Sequence, residues 1–262
     1  MRKMSTILFD QIVYGPVHSR RLGISLGINI SPMNGKRCSF NCIYCECGLN
    51  EERRTHMPAP RRKEVQQALE TKLQQLTSKG VNPDVITFSG NGEPTMHPEF
   101  EGIIDDTLAL RNQLCPKAKV AVLSNSTMLH NESVFQALLK VDDNLMKLDS
   151  VLDERIRQID DPAIKNFTSK ELIRQLKRFA GKLVIQTIFL RGERNGVIID
   201  NTSEAEVSAW IEALKEINPR KVMIYTIDRE TPIKSLQRLL PEELNTIAAR
   251  VQAAGLDVSV SF

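Results

Sequence analysis

The sequence predicts an α/β fold, a partial (β/α)6 TIM-like barrel with a cysteine-rich loop near its N-terminus. Three observations lead to this prediction. Short apolar segments alternate with amphipathic ones in six pairs. A last short apolar segment follows the sixth pair. A cluster of cysteines comes directly after the first apolar segment. Regular β-α alternation implies right-handed crossovers and a parallel sheet. Six units and a final strand fit an open barrel better than a closed eightfold one.

The predicted strands are short and several are rich in β-branched residues, as buried parallel strands tend to be. They cover 25–30, 84–88, 119–123, 144–148, 183–189, 221–226 and 257–261. Helices are predicted over 62–79, 99–114, 132–139, 170–179, 203–217 and 241–254. Leu69, Leu73 and Leu76 share one face of the first helix. Pro241 suits the start of the last helix, and Gly255 suits its stop.

Composition predicts a soluble globular protein with a single domain over 1–262. The chain has 262 residues, a net charge of +3, 41% hydrophobic and 26% charged residues. No apolar run approaches the ~18–20 residues of a membrane span, and the apolar stretch within residues 1–10 is too short for a signal peptide. These features argue against secretion and membrane insertion, and they predict a cytoplasmic location.

Basic residues are concentrated at the start of the chain. Residues 1–63 carry eleven Lys or Arg and four Asp or Glu, whereas the rest of the chain is net acidic. Such clustering attracts an anionic substrate or a nucleic acid backbone. A solvated basic surface is the alternative interpretation.

Four of the five cysteines, Cys38, Cys42, Cys45 and Cys47, lie within ten residues. The odd total of five cysteines and the close spacing of these four indicate metal ligation rather than disulfides. The C-x3-C-x2-C spacing of the first three lets three thiolates hold three irons of a [4Fe–4S] cluster, which leaves the fourth iron open to a small molecule. A zinc site made of all four is the alternative, but zinc prefers two separated C-x2-4-C pairs.

This C-x3-C-x2-C pattern, with Tyr44 before its last cysteine, resembles the signature of the radical S-adenosylmethionine (SAM) enzymes. The resemblance implies that Cys38, Cys42 and Cys45 hold the cluster and that SAM chelates its open iron. An electron then cleaves SAM to a 5′-deoxyadenosyl radical, which abstracts a substrate hydrogen. The same resemblance implies a partial (β/α)6 barrel and a reducing partner such as flavodoxin or ferredoxin.

Flanking segments resemble a subgroup related to the radical SAM enzymes of tRNA wybutosine synthesis. They are YGPVHSRRLG, SLGIN, SGNGEPTMHP, LSNST, MKLDS and YTIDRETP. The chain departs from the wybutosine enzymes proper because no cysteine precedes Cys38 and no flavodoxin-like segment is present. The substrate is therefore not identified, and tRNA or another anionic molecule is a candidate.

The resemblance also implies a set of SAM-binding residues, most of them directly after predicted strands. Gly92-Glu93 resembles the superfamily's GGE motif, which binds the SAM amino group, and Tyr44 is expected beside the adenine. The full predicted set is Tyr44, Gly90, Asn91, Gly92, Glu93, Ser124, Asn125, Asp149 and Gln186, with Lys147 as a further candidate. The alternatives are turn formation, helix capping and, for Gln186, a backbone partner.

No catalytic side chain is assigned, and several residues keep two interpretations. Cys47 is either a spare thiol near the cluster or a substrate contact, whereas Cys115 suits a helix end. Arg191 and Arg229 suit an anionic substrate or surface salt bridges. The main hypothesis is a radical SAM enzyme. A non-catalytic iron–sulfur protein for electron transfer or redox sensing is the alternative, and it would need Cys47 as a fourth ligand. A zinc-stabilised nucleic acid binder is a third.

Overall fold

A computed structural model describes residues 7–262 of the chain. The first six residues, which begin the segment tested above for a signal peptide, lie outside the described residues. The chain forms two compact units. The N-terminal unit contains Leu8–Cys38 and Asn50–Asn144, and the C-terminal unit contains Ile7, Ser39–Leu49 and Leu145–Phe262. The prediction of one domain stays a prediction.

The N-terminal unit alternates strands and helices. It contains β1 (Val13–Ser19), β2 (Gly23–Ile28), α1 (Arg62–Ser78), β3 (Val85–Phe88), α2 (Phe100–Leu114), β4 (Lys119–Ser124) and α3 (Glu132–Lys140). β1 is antiparallel to β2, whereas β2, β3 and β4 run parallel in that order. All four residues of β3 are buried, because a parallel sheet is apolar on both faces. Leu69, Leu73 and Leu76 of α1 are buried together, as predicted.

The C-terminal unit continues the same alternation and adds a small second sheet. Its elements are β5 (Asp143–Lys147, which starts at the end of the N-terminal unit), α4 (Asp153–Ile159), α5 (Ser169–Lys177), β6 (Val184–Ile188), β7 (Leu190–Arg194), β8 (Val197–Asp200), α6 (Glu204–Ile217), β9 (Lys221–Tyr225), β10 (Gln237–Arg238), α7 (Pro241–Ala253) and β11 (Val258–Ser261). β5, β6, β9 and β11 run parallel in that order. The small antiparallel sheet has the order β10-β7-β8.

All seven predicted strands are present, as β2 to β6, β9 and β11, and the six predicted helices are α1 to α3 and α5 to α7. The prediction missed β1, α4, the β7–β8 hairpin and the two-residue strand β10. β1 contains Gly15-Pro16, a dipeptide that indicates a turn. The hairpin turns at Asn195-Gly196, both with positive φ, and Asn-Gly is a strong hairpin signal that sequence reasoning overlooked. No helix of residues 7–262 is long and apolar enough to cross a membrane.

Candidate active site

The loop after β3 holds the residue before Cys38 in place. Arg37 donates its backbone N–H to the Asn91 carbonyl (2.9 Å), and Glu93 donates its N–H to the Arg37 carbonyl (3.0 Å). Gly92 lies between these two bonds with a φ of +141°. A Cβ at Gly92 would lie 1.8 Å from the Arg37 carbonyl oxygen. The glycine of the predicted motif is therefore needed for the backbone of Arg37 to approach.

We expect Gly92→Ala to destabilise the protein much more than Gly255→Ala. Both glycines have positive φ, which costs a side-chain-bearing residue about 1–2 kcal/mol. An added Cβ at Gly255 (φ +82°) has no atom within 4 Å, whereas the alanine methyl group at position 92 also clashes with the Arg37 backbone. Urea unfolding of both variants measures the difference. Equal losses would mean that the Arg37 backbone moves aside freely.

Asn91 uses its side chain to hold this loop. The residue is fully buried. Its Oδ1 accepts from the Phe9 N–H (2.8 Å), and its Nδ2 donates to the carbonyls of Phe9 (2.8 Å) and Pro32 (3.0 Å). Gly90 precedes it at a φ of +150°, where a Cβ would meet the side chain of Asn29. The Asn91 side-chain amide is therefore fully used in holding this loop to Phe9 and Pro32.

Glu93 joins the ends of β3 and β4. Its Oε1 accepts from the Thr95 N–H (3.1 Å), the Thr95 hydroxyl (2.5 Å) and the Ser124 hydroxyl (2.9 Å), and its Oε2 accepts from the Asn125 N–H (2.6 Å). Burial raises the pKa of Glu93, and these hydrogen bonds oppose the rise. The structure thus brings the predicted residues Glu93, Ser124 and Asn125 together. Sequence reasoning missed Thr95, although a hydroxyl two residues after a carboxylate is a common local partner.

The Asn125 side chain reaches the first cysteine of the predicted cluster site. Its Nδ2 lies 3.6 Å from Cys38 Sγ, within hydrogen-bonding distance for sulfur. Its Oδ1 accepts from the backbone N–H (3.1 Å) and the hydroxyl (2.8 Å) of Thr127. The sequence placed Asn125 at a strand end but did not indicate this contact with Cys38.

The rest of the cysteine loop is anchored within the C-terminal unit. Asn41 donates its backbone N–H to the Asp160 carbonyl (2.8 Å), and Ile43 donates to the Ile159 carbonyl (2.9 Å). The Ile43 side chain is fully buried in an apolar cluster with residues such as Ile159 and Ile188. This anchoring fixes the backbone on which Cys42 and Cys45 lie.

All five cysteines are thiols rather than halves of disulfides. Cys38, Cys42 and Cys45 are partly exposed, whereas Cys47 and Cys115 are buried. Cys115 directly follows α2 as its C-terminal cap, and burial raises its thiol pKa. Residues 7–262 contain no group of three or more His, Cys, Asp or Glu side chains gathered closely enough to hold a metal ion. The ligand assignment of the three exposed thiols therefore stays a prediction from their spacing.

A buried charge network surrounds the end of β5 in the C-terminal unit. The Lys147 ammonium contacts the carboxylates of Asp149 and Asp160, the latter at 3.0 Å. The Tyr44 hydroxyl contacts both Lys147 and Asp149, and the Lys147 Nζ lies 4.4 Å from the centroid of the Tyr44 ring. Asp149 also accepts from the Ile188 N–H (3.0 Å). The structure thus joins the predicted residues Tyr44, Lys147 and Asp149.

The pKa values of this network reflect burial and mutual charge. Burial alone lowers the pKa of Lys147, but Asp149 and Asp160 outweigh it and raise that pKa well above its usual value. Burial raises the pKa of Asp160 to about 7, against the opposing pull of Lys147. The Asp160 Oδ1 is held by its 3.0 Å contact with the Lys147 ammonium. Lys147 is therefore the charge that permits two carboxylates to be buried side by side.

The remaining candidates have partners within the protein. Gln186 donates to the Leu145 carbonyl (3.3 Å), which is the backbone partner considered above. Arg191 pairs with Glu243 (2.5 Å), and Arg229 pairs with Glu46 (2.7 Å). These contacts fit the salt-bridge interpretation of both arginines.

Comparison with known proteins decides the family. The sequence profile described as "Radical SAM superfamily" matches residues 35–205. The chain belongs to the radical SAM superfamily. A "UPF0026 protein" of Helicobacter pylori is 31% identical over 238 residues, which cover 89% of this chain and 71% of the relative.

Solved structures confirm the predicted fold class. Streptococcus suis SuiB, crystallised with S-adenosylmethionine, matches 90% of this chain with a TM-score of 0.63 and 15% identity. A structure of TYW1 with a lysine-pyruvate adduct matches 87% of this chain and 73% of its own length, with a TM-score of 0.61 and 15% identity. This chain spans about half the length (50%) of SuiB. The α/β partial barrel is thus the fold of this protein, and SAM and an iron–sulfur cluster are the cofactors of its superfamily.

The residues present fit an iron–sulfur cluster by the chemistry of their donor groups. Three partly exposed thiols lie within eight residues of one another in the matched segment. Thiolates are the usual ligands of such clusters. The Asn125 amide directed at Cys38 adds a hydrogen-bond donor suited to a cluster sulfur.

Proposed function

We propose that this protein is a radical SAM enzyme in which Cys38, Cys42 and Cys45 hold a [4Fe–4S] cluster. The observation that carries the proposal is the C-x3-C-x2-C spacing of partly exposed thiols within the segment that matches the superfamily. When bound there, the cluster would supply the electron that cleaves SAM to methionine and a 5′-deoxyadenosyl radical, and the radical would take a hydrogen atom from the substrate to give 5′-deoxyadenosine. The protein itself binds SAM, orients the substrate and excludes water.

The predicted SAM-binding residues divide into two roles in this proposal. Glu93 and the Asn91 side chain hold the loop after β3, and the backbone of Gly90, Asn91 and Gly92 presents carbonyl groups that can accept from the SAM amino group. Ser124 and Asn125 at the end of β4 support that loop. Support for this division comes from the hydrogen bonds that already engage both carboxylate oxygens of Glu93.

The other predicted contacts lie in the C-terminal unit. Tyr44, through its backbone, is assigned to the adenine, and Asp149 and Gln186 are assigned to the polar parts of SAM or of the substrate. The Tyr44 side chain is held by Lys147 and Asp149, which supports a backbone rather than a hydroxyl contact with the nucleoside.

A flavodoxin or a ferredoxin serves as the reducing partner. The substrate is an anionic molecule such as tRNA, which is supported by the eleven basic residues among positions 1–63. The segments around the cysteines support kinship with the wybutosine-related subgroup. The protein acts in the cytoplasm as a single radical SAM domain over 1–262.

The test is anaerobic reconstitution with iron and sulfide, followed by SAM and dithionite. We expect 5′-deoxyadenosine by mass spectrometry and a change in the EPR spectrum of the reduced cluster when SAM binds. A reducible cluster whose spectrum SAM leaves unchanged, with no 5′-deoxyadenosine, would support the electron-transfer alternative instead. Bound zinc without iron would support the zinc-stabilised binder.

A further inference from the structure

Asn125 lies directly after β4, where the structure holds its side chain against a cysteine thiol. The residue is buried, and its Nδ2 is 3.6 Å from Cys38 Sγ. An amide N–H is a donor, and a cysteine sulfur is an acceptor that becomes much stronger as a thiolate. The pair is separated by 87 positions in the chain, so the contact is made by tertiary structure alone.

The neighbours of Asn125 determine which end of the amide faces the sulfur. Oδ1 accepts both the backbone N–H and the hydroxyl of Thr127. A flipped amide would place its NH2 group against the Thr127 N–H, which can only donate. The Asn125 backbone is also held, because its own N–H donates to Glu93 Oε2 at 2.6 Å. Nδ2 is therefore directed at Cys38 by the surrounding hydrogen bonds.

The other member of the pair is held equally well. The two backbone bonds of Arg37 to the loop after β3 fix the residue that precedes Cys38. The Asn50 side chain donates to the Cys38 carbonyl (3.4 Å). Asn125 and the residue before Cys38 are thus both hydrogen-bonded to the loop after β3, within the N-terminal unit.

We propose that Asn125 is a positioning residue that donates an N–H···S hydrogen bond to Cys38 and raises the reduction potential of the cluster. The inference rests on the proposed function. Reduction by one electron adds negative charge that the cluster shares with its cysteine sulfurs, so a donor to sulfur stabilises the reduced form more than the oxidised form. Asn125 thereby makes the cluster easier for a low-potential donor to reduce.

The test compares the reduction potentials of reconstituted wild type, Asn125→Ala and Asn125→Asp by EPR-monitored titration. Asn125→Ala removes the donor, and we expect about a tenfold lower ratio of reduced to oxidised cluster at a fixed potential, which is ~59 mV for one electron. Asn125→Asp has the same shape but carries negative charge, so a larger shift in the same direction is expected. Thr127→Val keeps the donor and loosens its orientation, so its shift should be smaller.

Asn131→Ala is the matched control. Asn131 caps α3 by accepting from the Ser133 N–H (3.1 Å), so its replacement weakens a helix cap and leaves the contact between Asn125 and Cys38 unchanged. Its cluster should have the wild-type potential.

Two results would overturn the proposal. One is an equal potential in wild type and both Asn125 variants. The other is loss of the cluster from both Asn125 variants but not from Asn131→Ala, which would make Asn125 an assembly residue. Failure of the proposed function is distinguishable, because wild type itself would then hold no reducible cluster.

Discussion

Cys38→Ala, Cys42→Ala and Cys45→Ala should each abolish 5′-deoxyadenosine formation, whereas Cys47→Ala should retain it. Each of the first three changes removes one of the three thiolates that hold the cluster, and no further cysteine remains to replace it at the right spacing. Mass spectrometry of the product, with SAM and dithionite present, measures the effect. Iron content and the EPR spectrum show whether the loss of activity follows loss of the cluster.

Cys47→Ala is a close control because it changes the same residue type on the same loop. Cys47 is buried, whereas the three predicted ligands are partly exposed. Loss of a small buried side chain costs some stability but leaves the C-x3-C-x2-C set complete. If Cys47→Ala also loses its cluster, the site has four cysteine ligands, and the electron-transfer alternative is favoured over SAM binding at an open iron.

Lys147→Met should destabilise the protein by about 3–5 kcal/mol, the usual effect of removing one partner of a buried ion pair. Lys147 is 10% exposed and faces Asp149 and Asp160, which are buried. Methionine fills a similar volume but leaves both carboxylates without their cation. Urea unfolding at pH 8 measures the change in the free energy of unfolding.

The control for this variant is Lys140→Met. Lys140 also faces two carboxylates, Glu101 and Asp105, but its side chain is 39% exposed. Exposed ion pairs contribute about 0–1 kcal/mol, so a small loss is expected. If the two lysine variants lose the same stability, the network at the end of β5 is not held by buried charge.

The loss in Lys147→Met should be larger at pH 8 than at pH 5. Asp160 already has a pKa raised from 3.8 to about 7 by burial, and removing Lys147 removes the charge that opposes this rise. The folded variant therefore binds more protons than folded wild type near and above pH 7, where wild-type Asp160 loses its proton. Stability falls as pH rises wherever the folded state binds more protons, and acid conditions relieve the unpaired charge. A loss independent of pH would contradict this origin.

The sequence was sufficient for the strands β2 to β6, β9 and β11 and for the helices α1 to α3 and α5 to α7. Apolar alternation and helical periodicity are local patterns, so the buried β3 and the apolar face of α1 were predictable from their own residues. The spacing of Cys38, Cys42 and Cys45 is also local, because the three residues lie within eight positions of the chain. The position of Gly92-Glu93 after a strand indicated a turn for the same reason.

Only the tertiary structure decided what the polar side chains at the strand ends contact. Glu93 accepts a hydrogen bond from the loop after β4, Lys147 forms an ion pair with Asp160, and the Asn125 amide contacts the Cys38 sulfur. Each of these contacts joins segments that are separated in the chain, and the residue types involved suit a ligand, a cap or a buried network equally well. Parallel strands bring their carboxyl ends to one edge of a sheet. Which donor then meets which acceptor depends on burial and distance, which exist only after the strands have packed.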